Sequence, residues 1–279
     1  MTYSTLISAE TLHQNLNHPD WVIVDCRFSL ANTELGGFAY RHGHIPNARY
    51  AHLDHDLSSA ITDFTGRHPL PDFRVLAQKL GAWGISNHNQ VVVYDDAGGV
   101  FAGRLWWLLR WLGHEKVAVL NGGIQHWQKN YDVTTVLPRA KATTFRPYVD
   151  NSLWLNALQV QNALAQKAIC LIDARLPERY RGEVEPIDPV AGHIPYALNR
   201  AFQLNLDAQG LFLSPEKLRT EFNSLIGKTV PENVVHYCGS GVTASHNLLA
   251  MEYAGLKGSK LYAGSWSEWI RDKNRAVSR

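Results

Sequence analysis

Val234-Val235-His236-Tyr237-Cys238-Gly239-Ser240-Gly241-Val242-Thr243-Ala244 is the stretch from which the rest of this chain can be read. Val234 to Tyr237 is rich in β-branched and aromatic residues, which suits a buried strand. Ala244 to Ala254 is built of good helix formers, with Ala244, Leu248 and Met251 on one face. Gly255 then stands where a helix-ending glycine belongs. Cys238 heads the turn between strand and helix, and Gly239 and Gly241 permit positive φ there. Backbone N–H groups in such a turn can converge on one point, and the helix adds the positive end of its dipole. An anion at that point is stabilised, so the turn favours the thiolate of Cys238. Ser240 and Thr243 are expected to add hydroxyl donors. The arrangement reads as a nucleophilic sulfur in an anion cradle. On the loop alone, an inert buried cysteine remains the alternative.

Outward from this turn, the chain repeats itself. Ser8 reads as a helix N-cap, with Thr11 three residues on. Trp21 to Asp25, Gln90 to Tyr94 and Val117 to Leu120 read as buried strands, and Val75 to Trp83 as a helix. Val22-Ile23-Val24-Asp25-Cys26-Arg27 is answered by Cys170-Leu171-Ile172-Asp173-Ala174-Arg175. Gly43-His44-Ile45-Pro46 is answered by Gly192-His193-Ile194-Pro195. Val91 to Tyr94 corresponds to Val234 to Tyr237, and Trp127 to Trp269. Four landmarks in one order, displaced by roughly 145 residues, indicate a duplication. The expected boundaries are a first domain over 1–137, a linker over 138–150 and a second domain over 151–279. Strands alternating with helices imply an α/β fold, each domain a mainly parallel sheet flanked by helices. Ligands in such sheets sit beyond the carboxyl ends of the strands, where Cys238 falls. Its counterpart in the first copy is Asp95, so that copy lacks the nucleophile and its carboxylate is expected to be a structural anion. His44 and His193 occur in both copies and are expected to be structural, as is Arg175, which Arg27 answers. Cys26, Cys170, Trp106 and Trp107 are expected in packed positions.

Composition excludes several classes. The 279 residues carry a net charge of +2, with 45% hydrophobic and 19% charged residues, as in an ordinary globular protein. That charge gives no argument for nucleic acid. Cys26, Cys170 and Cys238 cannot build a disulfide framework and show no metal-ligand spacing, which suits a reducing compartment and a cytoplasmic location. No apolar run is long enough for a membrane span, and Met1 to Asn15 does not read as a signal peptide.

Tyr237-Cys238-Gly239-Ser240-Gly241-Val242-Thr243-Ala244 resembles the active-site loop of the rhodanese superfamily. Within it, Cys238 to Thr243 is similar to the 3-mercaptopyruvate sulfurtransferases rather than to thiosulfate-preferring members, which carry bulky cations in the loop. The resemblance extends over nearly the whole chain and implies tandem rhodanese-like domains with the second one catalytic. It implies sulfur transfer through a persulfide on Cys238, with no metal or organic cofactor. Ser240 would assist proton transfer, and Gly239, Gly241, Val242 and Thr243 would surround the donor. Arg179 matches the arginine that binds the donor carboxylate, and Asp54 and His68 roughly match first-domain positions near the cysteine. The chain departs from the pattern at Ile187, after Glu185-Pro186, where a second arginine is usual. Three outcomes stay open: mercaptopyruvate as donor, thiosulfate as donor, or a non-enzymatic sulfur-carrier or thiol-sensing module. Cyanide, thioredoxin or another thiol would accept the sulfur, and a monomer is expected. A cysteine phosphatase would need an arginine six residues after the cysteine, where Ala244 stands.

Overall fold

The computed structural model describes residues 2–279. The chain divides into two compact units. Among the described residues, the first comprises 2–59, 70–150 and 208–211, and the second comprises 60–69, 151–207 and 212–279. Two short segments thus pack with the unit that does not surround them in sequence, a division that linear boundaries do not express. The stretch 138–150 is no free linker. It is strapped along the first unit, where Thr143 N–H donates to Gly81, Tyr148 N–H to Leu112 and Asp150 N–H to Trp111, each at 2.9 Å.

In the first unit the elements are β1 (Leu6–Ile7), α1 (Ala9–Gln14), β2 (Trp21–Asp25), α2 (Leu35–His42), β3 (Arg49–Tyr50), α3 (Phe73–Ala82), β4 (Gln90–Tyr94), α4 (Val100–Trp111), β5 (Val117–Leu120) and α5 (Gly123–Trp127). The second unit has β6 (Trp154–Leu155), α6 (Ala157–Ala165), β7 (Cys170–Asp173), α7 (Pro177–Tyr180), β8 (Leu198–Asn199), α8 (Pro215–Ile226), β9 (Val234–Tyr237), α9 (Thr243–Tyr253), β10 (Lys260–Tyr262) and α10 (Ser265–Trp269). The sheet orders are β1-β5-β4-β2-β3 and β6-β10-β9-β7-β8, with every pairing parallel. The central strands are buried on both faces, which is why they read as continuous apolar runs. Ser8 caps α1 by accepting from Thr11 N–H at 3.1 Å, and Asn156 and Gln159 close a capping box on α6. Among the described residues, no helix is long and apolar enough to cross a membrane.

The duplication extends to buried polar contacts. Arg27 grips the Asp25 carboxylate at 2.7 Å and donates to the Gly43 carbonyl at 2.7 Å. Arg175 grips Asp173 at 2.6 Å and donates to Gly192 at 2.7 Å. The Tyr94 and Tyr237 hydroxyls each accept from the isoleucine N–H of the Gly-His-Ile-Pro turn, Ile45 and Ile194, at 3.1 Å. His44 stacks on Tyr40 and bridges Thr134, while His193 stacks on Tyr180 and bridges Ser278. These histidines are fasteners of the turn in both copies. Cys26, Trp106 and Trp107 are buried, and Cys170 is half-buried at the start of β7.

Asp95, at the carboxyl end of β4, occupies the place of Cys238. One of its oxygens accepts from Ala97 and Gly99 N–H at 2.9 and 2.8 Å, and the other from Phe101 and Ala102 at 2.8 and 2.9 Å. Burial pushes this carboxyl up, and the four N–H groups oppose the push. The cradle of the first copy is therefore filled by the chain itself. Asp95→Ala strands four donors, three of them buried, and should cost on the order of 3 kcal/mol, read by urea unfolding.

His236, on β9, has its Nε2 3.0 Å from Met251 Sδ, and its ring meets Phe222 edge-on. Burial, reinforced by the Arg200 charge, pushes this imidazole down from 6.5 to about 3. The unfolded chain then binds the proton that the folded chain refuses. Stability is full above the ordinary histidine value and falls as pH drops toward the folded one. His236→Leu should remove about 2 kcal/mol of the stability lost between neutral pH and about pH 4.5, measured by denaturant midpoints across that range.

Candidate active site

The turn after β9 is built as its residue types dictate. The Gly241 N–H donates to Cys238 Sγ at 3.1 Å. Gly241 sits at φ +80, and a Cβ there would be driven into the Ala263 carbonyl, so only glycine can place that donor. Gly239 does not adopt positive φ. Its missing side chain instead leaves room for cations: a Cβ at Gly239 would lie 2.8 Å from Arg67 Nη2 and 3.7 Å from Arg179 Nη1. Val242 is buried just ahead of α9, and Thr243 is its half-buried first residue.

The turn is clamped from α10. Cys238 N–H donates to Ser265 Oγ at 3.1 Å, Trp266 N–H to the Cys238 carbonyl at 2.9 Å, and Ser267 N–H to the Gly239 carbonyl at 3.0 Å. In the first copy Ile124 N–H makes the matching bond to the Asp95 carbonyl at 3.0 Å. Ser265 and its counterpart Gly123 have φ of 56 and 58. The second copy thus holds a non-glycine residue in the left-handed region, strain that its bond to the cysteine helps to offset.

Hydroxyl donors to the sulfur were expected from Ser240 and Thr243, but the donor seen is the Gly241 amide. The Ser240 hydroxyl lies 2.7 Å from His68 Nδ1, a contact spanning 172 residues of sequence. Both groups are buried. His68 belongs to the segment 60–69, which packs within the second unit. Asp54 lies in the first unit, half-buried, with its backbone N–H on His52 Nδ1 at 3.1 Å.

Arg179 opens no simple carboxylate clamp. Its Nη2 and Nε reach the two Glu185 oxygens at 2.6 and 3.2 Å, and Nη2 reaches Asp188 at 3.2 Å. Asp188 also pairs with Arg67. Arg175 adds a 3.3 Å contact to Glu185 and lies over the Trp266 ring at 4.9 Å. Burial pushes Glu185 up, but the Arg179 and backbone hydrogen bonds win and hold it below the usual carboxylate range. Burial leaves Asp188 above that range despite Arg67 and Arg179. Ile187 is 45% exposed, and its N–H turns back to Glu185. Sequence reading missed Arg67, Ser265 and the carboxylate pair. Only the pair left a signal: Glu185 and Asp188 flank Ile187, which stands where a second arginine was expected, and the cation comes from Arg67 instead.

Glu34, His52 and His55 bring ligand-type atoms within 4.8 Å of one another. Both ring nitrogens of His52 are already engaged, by the Thr33 carbonyl at 3.1 Å and by the Asp54 and His55 amides at 3.1 and 3.3 Å. Ligation there would break those bonds.

The rhodanese-like domain model matches residues 8–130 and 156–272. A probable 3-mercaptopyruvate sulfurtransferase of Pseudomonas aeruginosa is 46% identical over 281 residues, covering 100% of this chain and 99% of that protein. A putative thiosulfate sulfurtransferase of Mycobacterium tuberculosis is 36% identical over 98% of this chain and 96% of its own length. Among solved structures, the 3-mercaptopyruvate sulfurtransferase SseA of Escherichia coli superposes with a TM-score of 0.82 at 28% identity, covering 95% of this chain and 100% of that one. The chain therefore belongs to the rhodanese family of sulfurtransferases, with two copies of its domain.

Proposed function

We propose that the chain moves sulfur from a small anionic donor, with 3-mercaptopyruvate favoured, to a thiophilic acceptor through a persulfide on Cys238. The observation that carries this reading is the Cys238 sulfur on the Gly241 amide, one residue from a buried Ser240–His68 pair. The Cys238 thiolate attacks the donor sulfur, and the sulfur–carbon bond breaks with its electrons on the methylene carbon. The donor's thiol proton moves to that carbon, leaving the persulfide anion and pyruvate. Ser240, backed by His68, is placed to carry that proton. With thiosulfate the sulfur–sulfur bond breaks instead, sulfite leaves with the electron pair, and no proton moves. Cyanide in the test tube, or a thiol such as thioredoxin in the cell, takes the outer sulfur and restores the thiolate. The three free cysteines suit such work in the cytoplasm. The departure at Ile187 favours a second reading, with thiosulfate as the main donor.

Turnover with cyanide as acceptor tests the reading. Both donors should show ping-pong kinetics, with a larger kcat/KM for mercaptopyruvate. Cys238→Ala should abolish turnover and the one-sulfur mass gain on the protein; an active variant would refute the mechanism. A preference for thiosulfate would select the second reading. The proton step adds a sharper expectation. Ser240→Ala and His68→Asn should each lower kcat with mercaptopyruvate by roughly 100-fold while costing thiosulfate far less. Equal losses with both donors would remove the proton-transfer role.

A further inference from the structure

Arg67 is a second guanidinium against the cysteine loop, brought by a segment far away in sequence. Its backbone N–H donates to Ser267 Oγ at 3.0 Å, and Ser267 N–H in turn holds the Gly239 carbonyl. One end of its guanidinium pairs with Asp188. The other end, Nη2, comes to 2.8 Å from the point where a Gly239 Cβ would be, and both terminal nitrogens of Arg179 lie within 3.8 Å of that point. Two guanidiniums therefore flank the bare Cα of the residue after Cys238. The Arg67 side chain keeps 23% of its surface exposed, whereas Asp188 keeps 3%. The cation has an open side, and its anchor does not. Arg175 is occupied by Asp173, Glu185 and the Gly192 carbonyl, so it has no comparable freedom.

Resting on the proposed sulfur transfer, we infer that Arg67 is a donor-binding residue. With Arg179 it holds the carboxylate of a 2-oxo acid thiol while the donor sulfur faces Cys238. Guanidinium forks match a planar carboxylate, and two of them beside one loop orient it. Asp188 recruits Arg67 next to Ile187, so the guanidinium that the local sequence does not supply arrives from the segment 60–69. Glu185 and Asp188 already balance the charges of Arg67 and Arg179. A donor with one negative charge is then accepted more readily than a dianion such as thiosulfate.

The full-length protein is assayed with mercaptopyruvate and with thiosulfate, cyanide as acceptor, alongside Arg67→Met, Arg67→Lys and the double variant Arg67→Met/Asp188→Asn. The double variant removes both members of the ion pair, so no buried carboxylate is stranded. Losing one charge-assisted contact should raise KM for mercaptopyruvate roughly 10–100-fold in Arg67→Met and in the double variant, with kcat within about threefold. Arg67→Lys should recover part of that loss. Asp188→Asn alone should shift the kcat/KM ratio toward thiosulfate. An active wild type whose mercaptopyruvate KM is unmoved in the double variant would overturn the assignment of Arg67 alone. A wild type that turns over neither donor would overturn the sulfurtransferase reading with it.

Discussion

Backbone N–H groups turning from a parallel strand into a helix demand an anion, and both units are built around meeting that demand. In each copy the turn takes five steps from the strand-end residue to the first helical one, Asp95 to Val100 and Cys238 to Thr243. Where the residue is aspartate, its two oxygens satisfy four amides and the turn is closed chemically. Where it is cysteine, one sulfur meets one amide in the hydrogen-bonded geometry, and the turn retains capacity for the charge that develops during a reaction. A single residue type thus separates a structural plug from a nucleophile.

The turn can serve only if the strand ends do not move. Each copy ties them with a buried carboxylate, an arginine and a tyrosine: Asp25, Arg27 and Tyr94, then Asp173, Arg175 and Tyr237. Burying such a pair is costly in desolvation, and an apolar cluster of equal volume would be at least as stabilising. What the ions add is position. The arginine reaches the Gly43 or Gly192 carbonyl, and the tyrosine reaches the isoleucine amide two residues on. The Gly-His-Ile turn is fixed against the neighbouring strands by directional bonds rather than by shape alone.

Sequence pattern disclosed what is local. β2, β4, β5 and β9 fall where their apolar runs place them, Ser8 caps α1, and the paired landmarks gave the duplication. The cysteine turn was readable for the same reason, since strand, glycine and helix signals lie within eleven residues. Contacts made across the chain were not readable from pattern, and only the family resemblance pointed His68 toward the cysteine. Arg67 meets Asp188 over 121 residues, and Ser240 meets His68 over 172. No periodicity reports such a separation. Gly239 shows the limit in another way. Its presence suggested a special φ, whereas its purpose is the space it leaves for two arginines. The 138–150 stretch looked like a linker because prolines and basic residues suggest one, and its strapping depends on carbonyls of α3 and α4 that composition does not describe.

Duplication supplies an internal control that separates scaffold from chemistry. Tyr40, His44 and Ala48 form the same set as Tyr180, His193 and Ala197, with each tyrosine hydroxyl donating to the alanine carbonyl, at 2.8 and 2.6 Å. A set kept by the copy without a nucleophile serves the fold. Three differences gather beside the cysteine turn. Counting back from the paired tyrosines, Arg179 stands opposite Ala39, and the clamps place Ser265 opposite Gly123 and Cys238 opposite Asp95. The first copy needs no cation beside its turn, because Asp95 already carries the charge that the cradle binds. In the second copy the proposed donor would bring its own anion to guanidiniums that Glu185 and Asp188 already hold in place. Side chains fixed in advance lose less freedom when the donor binds, which is where preorganisation strengthens binding. On that proposal the same carboxylates compete with the donor for the guanidiniums, so the groups that supply order also limit the strength of binding.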